Sequence, residues 1–118
     1  SKIVEKDSRY KLEAYLFVLE ALAFTLKKIG EKRHVTGREL LEGIRDLAKE
    51  KYGLMGKNVF KYWGIYETID FGHIVFNLVG SGLLKKTTED KLEDFKDVYN
   101  FDEVFVRNYP IRVDKENL

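Results

Sequence analysis

Apolar residues return along this chain mostly at intervals of three and four, the rhythm of helices that bury one face. Phe71, Ile74, Val75, Leu78 and Val79 fall at i, i+3, i+4, i+7 and i+8, which predicts a helix from Thr68 to the glycines at 80 and 82. Leu40, Ile44, Leu47 and Ala48 repeat in the same way behind Thr36 and Glu39, a T-x-x-E capping box, and Gly53 closes that helix. Upstream, Asp7 or Ser8 is placed to cap a long first helix that stops at Gly30, with Lys27 and Lys28 in its last turn. Its apolar residues, among them Leu12, Tyr15, Leu16, Val18, Leu19, Leu22, Phe24, Leu26 and Ile29, cover more than one face, which predicts a central helix with others packed around it. A short helix within LMGKNVFKYW closes at Gly64.

Residues 82–99 admit two patterns. Leu92, Phe95, Val98 and Tyr99 suit a helix face, with Thr88 as a cap. The other reading, slightly preferred, is a hairpin in which GLLKKT and DFKDVY flank an acidic, turn-rich tip. Asn100 with Glu103 then starts a short helix, FDEVFVRNY. The expected fold is mainly α, a compact single domain of four or five helices over residues 1–109. It becomes winged-helix-like if the hairpin near 82–99 forms, and residues 110–118 make a partly ordered tail.

A length of 118 residues, 44% of them hydrophobic and 16 of them aromatic, supports one core. The 21 basic and 20 acidic residues leave a net charge of +1, so there is no global attraction to a polyanion or a membrane surface. The absence of cysteine removes disulfides, thiolate nucleophiles and sulfur-bound zinc. Lys and Glu are abundant, Gln is absent and Met occurs once, a composition of thermophile type. SKIVEKDSRYK lacks the apolar core of a signal peptide, and AYLFVLEALAF is interrupted by Glu20 and too short to span a bilayer. A soluble, cytoplasmic chain is expected.

Few residues could carry chemistry. His34 and His73 are the only histidines; Asp70 precedes His73 by three residues, as a ligand pair or as a helix-surface contact. Seven acids against two lysines in residues 89–103 read as a solvated face, and no calcium-loop pattern is present. Ser81 in GSG has no nucleophile elbow around it, and VGSGLLKK lacks phosphate-loop spacing. No catalytic, cofactor-binding or metal role is assigned to any residue.

The helix from Thr68 occupies the place of a recognition helix, but its outer face carries Asp70, His73, Asn77 and Gly80. Asn77 is the one good base reader among them. Phe76 on that side suggests a protein contact unless another element buries it. Between Lys27 and Lys61 ten Lys or Arg face five Asp or Glu, densest in KKIGEKR. This surplus could hold phosphates, or meet the acidic segment of its own chain or of a second copy, the preferred reading.

RYKLEAYLFVLEAL (9–22), RHVTGRELLEGIRDLA (33–48), TIDFGHIVFNLVGSGLLKKT (68–87) and DFKDVYNFDEVF (94–105) together resemble a family of short uncharacterised bacterial proteins described chiefly from planctomycetes and verrucomicrobia. Where such proteins commonly have Pro after the early Asp, this chain has Ser8, and Asn100 stands where Asp is expected; each still caps a helix. The resemblance implies one complete domain and carries no activity. The expected function is a non-enzymatic protein-interaction module, binding a partner or itself through His73, Phe76, Asn77 and Asp94. The alternative is a winged-helix-like nucleic-acid binder using Arg33, Lys57, Lys61, Lys85 and Lys86.

Overall fold

In a computed structural model, residues 2–85 and 90–107 are described, and they form five α-helices, α1 Lys2–Lys6, α2 Leu12–Ile29, α3 Gly37–Tyr52, α4 Gly56–Tyr62 and α5 Thr68–Gly80. A 3-10 turn at Gly53–Met55 joins α3 to α4, a second follows at Leu92–Phe95, and a π-helical turn spans Asp102–Arg107. The mainly α fold of the sequence reading is therefore observed. None of these helices is long and apolar enough to cross a membrane.

The expected first helix starts at Leu12 instead of at Asp7 or Ser8, and a short helix that the sequence reading did not foresee, α1, precedes it. Asp7 does not cap it; its carboxylate takes the backbone N–H and the guanidinium of Arg9 instead, at 2.7–3.2 Å. The Lys11 N–H then donates to the Trp63 carbonyl, and a Cβ on Gly64 (φ 92°) would collide with the Arg9 carbonyl. Residues 7–11 are thus pinned as a turn against the α4–α5 connection, and α2 starts after it. Gly30 ends α2 in the left-handed region (φ 77°), donating to the Leu26 carbonyl as expected.

At α3 the capping box closes in both directions: the Glu39 N–H donates to Thr36 Oγ1 (3.1 Å), and the Thr36 N–H to Glu39 Oε1 (3.0 Å). The buried stripe Leu40, Leu41, Ile44, Leu47 and Ala48 then packs on α2. Their crossing is close because Gly43 faces Thr25, whose hydroxyl is satisfied by the Ala21 carbonyl at 2.7 Å. α5 begins where Asp70 accepts from the N–H groups of Tyr66 (2.8 Å) and Glu67 (3.0 Å) and from the Tyr10 hydroxyl (2.7 Å).

The hairpin is a correction. No strand occurs among the described residues, and residues 86–89, the end of the expected first strand and the start of its tip, lie outside them. In place of a returning strand, Leu92–Phe95 makes a helical turn against α5. Leu92 and Phe95 both pack over Gly72, where an added Cβ would lie 2.8 Å from the Phe95 ring, and the same ring abuts Gly37 of α3. Thr68 fixes this strap: its hydroxyl donates to the Phe95 carbonyl (2.6 Å) and accepts from the Val98 N–H (3.1 Å). Asp97 at φ 50° breaks the extended run that a strand would need. Asn100 does cap the following turn, accepting from the N–H groups of Asp102 and Glu103.

Phe60 of α4 is the hub of the core. It is fully buried, with the rings of Phe17, Trp63, Phe71, Phe101 and Phe105 centred 5.0–6.1 Å away. Several of these pairs are edge-to-face, an arrangement worth about 0.5–1.5 kcal/mol per pair beyond area burial.

Candidate functional site

At the other end of α2 the packing opens. A cleft of about 850 Å³ is walled by Leu22 and Leu26 of α2, Val75, Phe76 and Val79 of α5, and Leu83 and Leu84 beyond α5, with Leu40 and Phe95 also lining it. Its volume lies within the roughly 300–1,000 Å³ of ligand pockets, and its lining is predominantly apolar as such sites are. The stretch Arg33–Gly37 bounds one side, with Lys85 and Asp90 close by. Asp90 ties the strap to α3: one oxygen sits 2.9 Å from His34 Nε2, and the other accepts from the Gly37 N–H at 3.3 Å.

The predicted surface on α5 divides. Phe76 stays 40% exposed and forms part of the cleft. Asn77 turns the other way, its amide donating to Asp7 Oδ2 (2.8 Å) and the Tyr15 hydroxyl (3.2 Å), so it ties the N-terminal turn to α5. The Asp7 carboxyl is held well below the usual carboxylate range by the Arg9 guanidinium and, further, by the Asn77 amide, against the opposing effect of burial. His73 is half-buried and does not line the cleft. Asp70, weighed as its ligand partner, is spent on the α5 start and on Tyr10. No group of three metal-ligating side chains exists among the described residues.

Asp94 lies over a separate hollow of about 380 Å³ that shares Thr36, Gly37 and Asp90 with the cleft. Its carboxylate accepts from the Lys91 N–H at 3.0 Å and so shapes the strap.

The basic candidates are scattered. Arg33 lines the cleft, but its guanidinium forks onto Glu39 at 3.0 and 2.7 Å, and that contact pulls the Glu39 carboxyl down to about 2. Lys57 pairs with Asp102 across α4 and the π-helical turn. Lys61 is exposed on α4, Lys85 is exposed at the cleft, and Lys86 falls outside the described residues. The basic and acidic segments meet at Lys57–Asp102 and His34–Asp90, whereas Lys28, Arg45 and Lys51 pair with Asp46 and Glu20. Among the described residues, the two segments thus match electrostatically at Lys57–Asp102 and at His34–Asp90.

Of the apolar residues lining the cleft, the sequence pattern set Phe76 on an outer face, whereas it assigned Leu22, Leu26, Val75, Val79 and Leu83 to the core or left them unassigned. It also placed α2 at the centre of the bundle, whereas Leu12 and Leu16 are exposed. Periodicity identifies an apolar face without saying whether the chain has anything left to cover it. No buried side-chain nitrogen or oxygen among the described residues lacks a hydrogen-bond partner, so no orphaned polar group points to a cofactor. No family model, curated protein or solved structure matches the chain.

Proposed function

We propose that the chain is a non-enzymatic interaction module that docks a protein partner, a second copy included, on the apolar surface centred on Phe76. The observation that carries this is the position of Phe76. A phenylalanine 40% exposed, on a helix that has other faces to bury, lines an open apolar cleft instead of joining the aromatic core. Large aromatics in partly formed pockets are the side chains that dominate binding energies at interfaces. Nucleic acid is the weaker reading, because Arg33 and Lys57 are engaged by their own carboxylates and no strand supplies a wing among the described residues. Supplied by itself, Phe76→Asp is expected to abolish self-association or partner capture, read by sedimentation velocity, while far-UV circular dichroism stays unchanged. Association retained at full strength by Phe76→Asp would remove this surface.

A further inference from the structure

Leu12, Leu16, Leu19, Ala23 and Leu26 recur along α2 at intervals of four, three, four and three, the a/d spacing of a two-helix seam. These positions fall within about 40° of one line on the helix surface and extend for about 21 Å along its axis. A stripe belonging to the core would be covered. Here Leu12 is 40% and Leu16 55% exposed, Ala23 is exposed, and Leu19 and Leu26 are half-buried. At Leu26 the stripe runs into the cleft wall, so seam and cleft form one continuous apolar surface.

The flanks are unequal. Glu13, Glu20 and Lys27 follow the three d-type leucines on one side, while Tyr15, Leu22 and Ile29 occupy the other. Neither Glu13 nor Lys27 has an ion-pair partner among the described residues.

We infer that the partner is a second copy of this chain, joined through α2 as an antiparallel helix pair about a twofold axis, an inference that rests on the interaction-module reading above. Placing Leu19 opposite the partner's Ala23 places Leu16 opposite the partner's Leu26, and symmetry repeats both layers. Large then faces small at the centre of the seam. In that register Glu13 lies beside the partner's Lys27 and Lys27 beside the partner's Glu13. Glu20 meets its own symmetry mate near the axis, but each is already held by Lys51 of the same chain, Nζ to Oε1 2.8 Å. A parallel pair would set the charged flank against Tyr15, Leu22 and Ile29, with no opposite charge to meet. The charges therefore select the antiparallel arrangement, and the isologous contact closes at two copies.

Sedimentation equilibrium over about 1–100 μM protein tests the pair, a range that captures micromolar dissociation constants. The unmodified chain is expected to dimerise. Leu16→Glu, at an exposed position that the monomer fold does not need, should be monomeric with unchanged helicity. Glu13→Lys should weaken dimerisation about tenfold, two exposed ion pairs becoming two like-charge contacts, and Glu13→Lys with Lys27→Glu should restore it. An unmodified chain that stays monomeric throughout, or a dimer indifferent to Leu16→Glu, would overturn the inference. A double variant as weak as Glu13→Lys alone would overturn the antiparallel pairing. If the unmodified chain is monomeric and yet captures a different protein in a Phe76-dependent way, the second copy is excluded while the interaction-module reading stands.

Discussion

The two ends of α2 solve the same problem in opposite ways. Around Phe17 the helix meets Tyr52, Phe60 and Trp63, rings 5.3–6.0 Å apart, and the π-helical turn closes over Gly56 with Phe105. Around Leu22 and Leu26 no such lid is seated among the described residues, and the facing residues of α5 line an open cleft instead. The difference lies in what arrives after α5. The segment from Asn100 onward carries Phe101 and Phe105 to the first end, whereas the strap at Leu92–Phe95 reaches only the floor of the second. An apolar face is core where a later segment returns to it and surface where none does.

That contrast is most easily broken at its hubs. Phe60→Ala removes a ring with no exposed surface and five aromatic neighbours, so thermal or urea unfolding should show a loss of about 3–5 kcal/mol. Phe76→Ala, at the open end, should cost under about 1 kcal/mol in the same measurement. Equal losses would mean that the cleft is as much a part of the core as the aromatic cluster.

Gly72→Ala sharpens the comparison from the floor of the cleft. A methyl group there must displace Phe95 or Leu92 by some tenths of an ångström. Crowding of this kind costs about 1–3 kcal/mol, and the better helix propensity of Ala returns up to about 1. The net expectation is a loss of about 1 kcal/mol in urea unfolding, with association weakened because the ring lining the cleft has moved. A stabilised variant with unaltered association would show that the strap yields freely.

The smallest effect concerns the tie between the N-terminal turn and α5. The Asp7 carboxyl is lowered in the folded chain by Arg9, so its stabilisation is complete above the unfolded value of about 3.9 and is lost as pH falls toward the folded one. The melting temperature of the parent chain should drop between about pH 4 and pH 2 more steeply than that of Asp7→Asn. Parallel curves would place the acid-sensitive contact elsewhere.

Much of the local structure is written in short-range pattern. Thr36 and Glu39 fix the start of α3, Gly30 the end of α2, and the spacing from Phe71 to Leu78 the buried side of α5, because caps and helical periodicity involve residues within one or two turns of each other. The start of α2 at Leu12 was not legible, since it depends on Trp63 and Gly64 meeting residues 7–11 from about fifty positions away. Nor was the strap: alternation in residues 94–99 resembles a strand until Thr68 and Gly72 capture Phe95 as a helical turn. The cleft is the deepest such case. The sequence by itself determined that α2 and α5 would carry apolar stripes; only the tertiary structure decided which parts of them remain uncovered, because that depends on where the chain's last described segments pack and on the closeness that Gly37 and Gly72 permit.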